Sequence, residues 1–322
     1  MVRDLATEFE AERGRLLLAA HRMLGSRSDA EDAVQETWLR YASALADPAA
    51  RAEIRDLRGW LTTTCARICL DVLRSARVRR EAYVGQWLPE PIVTPLDSGG
   101  GSDGFAPDPA ERAVRTDQVG TALLVVLDRL SPEQRVAFVL HDVFALPFAR
   151  VADVLGTTEA AARQLASRAR RAVSAPEAPR HTADPVEHRR VVAAFVAAAE
   201  SGELERLVAL LAPDVVFVGD SNGHFPTARR PVVGAVAVGR FTLGILDRAG
   251  RHGHRVLARP VLVDGALGLR VDARDTDGRP MRMVTAFAVH DGRITGIFNQ
   301  ANPEKLADLP PLDPTDAWPP RL

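Results

Sequence analysis

Between residues 85 and 110 the chain carries Pro89, Pro91, Pro95, Gly99–Gly100–Gly101, Gly104, Pro107 and Pro109, a spacing through which neither a helix nor a central strand can run. This stretch therefore reads as a long interdomain linker. A shorter one, Pro176 to Pro185, marks a second boundary. The division fits the length, because 322 residues exceed what a single hydrophobic core usually encloses. With 46% hydrophobic and 26% charged residues, wholesale disorder is excluded. The longest apolar run, Val191 to Ala199, is too short to span a bilayer. Met1 to Glu12 is acidic and lacks the apolar segment of a secretory signal. The only cysteines, Cys65 and Cys69, cannot make a disulfide framework and point to a reducing compartment. A cytoplasmic protein is expected.

The first segment, 1–84, reads as helices. Leu16, Leu17, Ala20, Met23 and Leu24 recur at helical spacing and stop at Gly25. Ser28 and Glu31 read as a capping box opening a helix to about Leu45. A third helix is expected from Leu57 to Arg80, with Leu61, Cys65, Ile68 and Val72 inward. In the segment 111–175, Ser131-Pro132-Glu133-Gln134 starts a helix with Ser as cap, Pro at the first position and Gln at the third. The segment 186–306 opens with helices at Val186–Ser201 and Glu203–Leu211, and a further one at Val232–Ala249. Strand-like runs then follow at Val256–Val263, Leu267–Ala273, Met281–His290 and Arg293–Phe298, separated by the hairpin signals Asp264–Gly265, Asp277–Gly278 and Asp291–Gly292. Helices followed by an antiparallel meander predict an α+β domain. The Pro-rich tail, 307–322, is expected to lack order.

A net charge of −1 hides segregation. Arg74, Arg77, Arg79 and Arg80 cluster, as do Arg163, Arg168, Arg170 and Arg171, so two basic patches suit polyanion contact at two places. Residues 148–173 read as a helix-turn-helix: a short amphipathic helix ending at Gly156, then a longer one capped by Thr157 or Thr158. Ala162, Leu165, Ala169 and Ala172 are expected inward, leaving Arg163, Gln164, Ser167, Arg168 and Arg171 outside. Gln and Arg there can read base edges, while other arginines hold phosphates. A plain helical hairpin with a charged face is the competing reading. In the second helix, Asp29, Glu31, Asp32 and Glu36 concentrate acid beyond what capping requires, and Asp32, Gln35 and Glu36 share an outer face, which suggests docking on a basic protein surface.

These residues resemble a known family, the bacterial extracytoplasmic-function (ECF) sigma factors. His21-Arg22-Met23-Leu24-Gly25 with Asp29-Ala30-Glu31-Asp32-Ala33-Val34-Gln35-Glu36 looks like sigma region 2. The resemblance implies that Asp29, Asp32, Gln35 and Glu36 bind the β′ clamp helices of RNA polymerase. Arg58-Gly59-Trp60-Leu61 and the basic helix behind it look like the part that opens and reads the −10 element, which implicates Trp60, Arg74, Arg77, Arg79 and Arg80. Leu130-Ser131-Pro132-Glu133-Gln134-Arg135 and the 148–173 unit resemble region 4, which reads the −35 element and meets the β flap. Trp87-Leu88-Pro89-Glu90-Pro91, Gly219-Asp220-Ser221-Asn222-Gly223 and Asn302-Pro303-Glu304-Lys305-Leu306 are similar to the sigma-J type. There a SnoaL-like domain, of the NTF2-like fold, follows region 4 and adjusts sigma activity. Trp87, Pro89, Asp220, Asn222, His224, Asn302, Pro303 and Lys305 are then regulatory contacts, with His224 standing where the group usually has Lys.

The implied architecture is multidomain: two all-α sigma domains and one α+β SnoaL/NTF2-like domain. The implied partners are core polymerase and promoter DNA, with no membrane, no cofactor and no separate anti-sigma factor required. The cone of a SnoaL-like domain can also admit a small-molecule ligand. The alternative is a DNA-binding module fused to a SnoaL-like enzyme, with Asp220, His224 and His290 as an acid–base set; no catalytic residue is expected on the first reading. Asp220 and His224 read equally well as surface turn residues. Cys65 and Cys69 at i, i+4 lack a completing His or Cys cluster, so they read as core packing and no metal site is expected.

Overall fold

The computed structural model describes residues 2–46, 54, 56–80, 85–96, 121–175, 184–225, 227–251, 256–274 and 279–312. The chain separates into two compact units. One holds Met1–Ala82, Gly99–Thr116 and Val126–Ala175; the other holds Tyr83–Ser98, Asp117–Val125 and Pro176–Leu322.

The first unit is helical. α1 (Val2–Leu24), α2 (Arg27–Ala46) and α3 (Leu57–Arg80) bury Leu16, Leu17, Ala20, Met23, Ala30, Val34, Leu61, Cys65 and Cys69 among themselves. Each buried leucine contributes about 1.5–3 kcal/mol of transfer free energy. α1 stops where predicted, at Gly25 with φ +71°, whose amide closes on the His21 carbonyl. The α2 cap differs from the expectation. Ser26, not Ser28, receives the Asp29 amide at 3.2 Å. Because Arg27 is already helical, Ser28 lies in the first turn, and Glu31 pairs with Arg27 at 3.0 Å instead of reaching back.

α4 (Thr121–Asp128) precedes α5 (Pro132–Phe138), whose Ser131–Gln134 capping box forms in both directions at 3.2 and 3.0 Å. A π-helical turn (Val139–Val143) follows, then α6 (Phe148–Leu155) and α7 (Glu159–Val173). Gly156 (φ +63°) ends α6, and Thr158 caps α7 through the Ala161 amide. Ala162, Ala166 and Ala169 face inward with no exposure, while Leu165 and Ala172 are only half-buried. The inner stripe thus steps i, i+4, i+7, and three methyl groups let α7 lie close on its neighbours.

In the second unit, α8 (Pro185–Ser201) starts at Asp184, whose carboxylate accepts the Val186 and Glu187 amides. α9 (Leu204–Ala209) and α10 (Ala235–Arg251) complete its described α-helices together with the first turn of α4. The sheet comprises β1 (Val93–Pro95), β2 (Leu211–Asp220), β3 (Val232–Val233), β4 (Leu257–Val263), β5 (Ala266–Arg274), β6 (Pro280–His290) and β7 (Arg293–Gln300), in the order β1-β4-β5-β6-β7-β2-β3. All neighbours are antiparallel except β2 and β7. One face, with Phe217, Phe287, Val289 and Ile297, packs on Val191, Val192, Phe195 and Leu207 of the helices. The other, with Val218, Val284, Ala286, Ala288 and Phe298, packs on Leu88, Ala122, Val125 and Leu306. The α+β order expected of a SnoaL-like domain is present.

Three expectations are corrected. Residues 85–96 are not a plain linker: Leu88 is buried and Val93–Pro95 pairs with Val261–Val263. The chain beyond Lys305 is ordered as far as Leu312. Pro303–Leu306 forms a 3-10 turn, the Leu309 and Pro310 carbonyls accept from Arg282 and Arg270, and the Leu312 amide reaches Asp272. β2 was missed as a strand, and its Pro213 is tolerated because the pairing with β7 shifts register between Leu211 and Val216. The Asp277–Gly278 turn and residues 313–322 lie outside the described residues.

Candidate nucleic-acid interface

The outer face of α7 is as the periodicity requires. Arg163, Gln164, Ser167, Arg168 and Arg171 are all exposed. Arg163 pairs with Glu159 at 2.7 Å and lies 5.4 Å over the Phe148 ring, while Arg171 turns back to the Ser167 carbonyl. Arg170 serves the scaffold instead, held by Asp142 at 2.5 Å. Phe148 is fixed in turn by stacking on His141, at 3.7 Å between centroids. A rigid short helix thus presents a second helix bearing Arg and Gln, which is the geometry for entering a major groove.

The −10 candidates lie on α3, and two of them face the 126–175 part of the same unit. Arg74 bonds to Glu133 at 3.1 Å, as well as lying near Asp71. Burial raises the Glu133 carboxyl, but its backbone amide bond and Arg74 outweigh that and leave it below the usual carboxylate range. Trp60 is half-buried, tilted against Tyr41 at 6.0 Å, and lines a cleft of about 580 Å³ with Thr63, Arg67, Arg150, Asp153 and Thr157. Across that cleft Arg67 bonds the Asp153 carbonyl at 2.7 Å, and Arg150 approaches Asp56 at 3.4 Å. A Cβ at Gly59 would meet the ends of the Arg150 and Asp56 side chains, which would have to swing aside. The side chains of Arg77, Arg79 and Arg80 lie outside the described residues.

On α2, Asp32 and Gln35 are exposed and Asp29 and Glu36 half-exposed, opposite buried Ala30 and Val34. Glu36 pairs with Arg40 at 2.8 Å. Leu39, 54% exposed one turn beyond Gln35 and Glu36, adds an apolar element that sequence reasoning missed. Cys65 and Cys69 are buried and hydrogen-bonded to each other. That bond holds the Cys65 thiol below its ordinary range and, together with burial, pushes Cys69 well above it. Among the described residues no cluster of His, Cys, Asp or Glu could hold a metal ion.

The regulatory candidates converge, but Asp220 is no surface turn residue. It is fully buried, and its Oδ2 accepts Lys305 Nζ at 2.8 Å, the Leu88 amide at 2.8 Å and Gln300 Nε2 at 3.3 Å. Lys305 also bonds the Leu88 carbonyl at 2.6 Å and lies 4.2 Å from the Trp87 ring centroid. Gln300, missed in the sequence, bonds the Leu88 and Pro89 carbonyls through the same nitrogen, and its Oε1 takes the Asn302 amide. Asn302 then caps the 3-10 turn through the Glu304 amide, with Pro303 exposed at its first position. Asn222 (φ +46°) gives its amide to Asp220 Oδ1. His224 is exposed, its amide turning back to the Ser221 carbonyl at 2.9 Å. His290 pairs with Asp291, opposite Arg293, whereas Asp220 lies opposite Gln300 at the other end of β7. The sheet register therefore keeps Asp220 and His290 from forming an acid–base set.

Residues 9–79 match sigma-70 region 2, and residues 121–173 match sigma-70 region 4. The chain is 49% identical over 313 residues to the ECF RNA polymerase sigma factor SigJ of Mycobacterium tuberculosis, covering 94% of each. It is 35% identical over 306 residues to the probable ECF RNA polymerase sigma factor SigI of the same organism, covering 95% of this chain and 96% of that one. The crystal structure of M. tuberculosis SigJ aligns with a TM-score of 0.74 at 45% identity, over 94% of this chain and 98% of its own.

Proposed function

The chain belongs to the ECF RNA polymerase sigma factors, and we infer from its residues how it directs the core enzyme to promoters and starts transcription. Asp29, Asp32, Gln35 and Glu36 dock α2 on the β′ clamp helices, where complementary charge steers association. α3, with Trp60 in its first turn and Arg74, Arg77, Arg79 and Arg80 toward its other end, takes the −10 element, Trp60 offering a ring to an unstacked base. α7 takes the −35 element: Arg168 and Gln164 read base edges, and Arg163, Ser167 and Arg171 hold phosphates. Region 4 meets the β flap. No separate anti-sigma factor is required, because the domain at 186–306 adjusts activity through Trp87, Pro89, Asp220, Asn302 and Lys305.

The reading places the protein in the cytoplasm and gives it no covalent chemistry. The single observation that carries it is the exposed α7 face on a capped, alanine-backed helix. Run-off transcription by core enzyme with this protein on a randomised promoter library tests it. Enrichment of paired −35 and −10 elements supports the reading, and templates started without sequence preference would refute it.

A further inference from the structure

Exposed apolar surface is concentrated on one element of the second unit. Of the seven large hydrophobic side chains exposed among the described residues, Val233, Val236, Ile245 and Leu246 all lie on β3 and α10. On its inner side α10 buries Val238 and Gly239, the latter against Leu204 and Val208 of α9. On its outer side Val236, Arg240, Leu243 and Asp247 recur at i, i+4, i+7 and i+11, a single seam along the helix. Val236, Arg240 and Asp247 are exposed and Leu243 is half-buried. Arg240 has no ion-pair partner among the described residues. Gly244 flanks the seam, is exposed, and has nothing within 4 Å of where a Cβ would stand. Glycine is the poorest helix former after proline, and no packing within the chain calls for it at this position.

We infer that α10 is a self-association surface, packing antiparallel on α10 of a second copy of this chain. Charge complementarity carries the choice of occupant. Arg240 and Asp247 stand one heptad apart with Leu243 between them. A two-fold axis at Leu243 therefore sets Arg240 of each copy beside Asp247 of the other, so the contact is made twice. Leu243 meets its own mate on the axis, Gly244 lets the two backbones approach, and Leu246 and Val236 are covered. An occupant of one charge sign, such as duplex DNA, would match Arg240 and oppose Asp247. The helix is about 25 Å long, which puts the contact at the low end of specific interfaces. Association is accordingly weak, in the micromolar range, and sensitive to salt. α10 holds no residue assigned above to polymerase or promoter, so the inference goes beyond the sigma-factor reading and stands apart from it.

Sedimentation equilibrium of the full chain, over a micromolar concentration series at low and high salt, tests it. The unaltered chain should show a monomer–dimer equilibrium that salt weakens. Arg240→Asp alone and Asp247→Arg alone each bring like charges together at both contacts, and each should weaken dimerisation at least about tenfold. Mixed with one another, these two variants set an acid against a base at both contacts. The mixture should associate as tightly as the unaltered chain, which a folding defect could not produce. Gly244→Leu should abolish the dimer while the melting temperature stays at or above that of the unaltered chain, because the new side chain enters open space and favours the helix. A monomer at every concentration overturns the inference. So does a dimer that either charge reversal or Gly244→Leu leaves intact, and so does a loss in the single reversals that mixing fails to restore.

Discussion

Arg74, proposed above to contact the −10 element, is bonded to Glu133 of α5 at 3.1 Å. A carboxylate of region 4 thus occupies a cation that the proposed function assigns to promoter DNA. Both partners are partly exposed, so the bond is modest and salt-sensitive. Glu133→Gln should raise affinity for a −10 fork template by about two- to fivefold at low salt, and Arg74→Ala should lower it. Because the folded Glu133 carboxyl is depressed below 4.5, its bond is fully present above that value and is lost only as pH falls through the folded pKa. The Glu133→Gln gain should therefore be constant from neutral pH down to about 6. Fluorescence anisotropy with a labelled fork, at several salt concentrations, checks both statements.

The Lys305–Asp220 pair is buried, with Lys305 the only lysine of the chain. Lys305→Met leaves the Asp220 carboxylate without its cation and should cost about 3–5 kcal/mol of stability. Asp220→Asn with Lys305→Met together should cost less than Lys305→Met alone, since no buried charge is then stranded. Urea unfolding of the four proteins of this double-mutant cycle measures the coupling.

On α7, Arg168→Ala should weaken promoter binding by about 1–3 kcal/mol and relax preference at one −35 position. Arg171→Ala should weaken it evenly across sequences and reduce the slope of log affinity against log salt by about one. Binding titrations on a −35 substitution series separate the two.

The tail truncation has a sharp boundary. Cutting after Asp308 removes the Leu309 and Pro310 carbonyls that accept from Arg282 and Arg270, and the Leu312 amide bonded to Asp272. Arg270 is only 6% exposed, so losing a partner should cost about 1–3 kcal/mol. Cutting after Leu312 leaves all these bonds in place and should change the melting temperature little. Thermal unfolding of both truncations decides it.

What was legible in the sequence was local. The Ser131–Gln134 box, the Gly156 stop, the Thr158 cap and the Asp264–Gly265 and Asp291–Gly292 turns are set by residues within a few positions of one another, and each forms. The outer face of α7 follows from the same periodicity. What was not legible depends on partners far along the chain. Val93–Pro95 becomes a strand only because β4 offers an edge, and a proline-bearing triplet carries no strand signal of its own. Asp220 looks like a turn residue because Asn222 and Gly223 follow it. Its burial is decided by Leu88 and Lys305, 132 and 85 residues away. Gln300 was missed for the same reason, and β2 because Pro213 and Asp214 interrupt its alternation.

In the proposed function, the acidic face of α2 is what separates a polymerase subunit from another DNA-binding protein. Asp32 is exposed and Glu36 half-exposed, so Asp32→Arg with Glu36→Arg should leave the fold intact while turning attraction into repulsion. The measurement is the affinity of the full chain for core RNA polymerase, with circular dichroism confirming that the variant is folded. The docking proposed here predicts that the folded double variant loses core binding by at least about a hundredfold. Retention of wild-type affinity by that folded variant would contradict it.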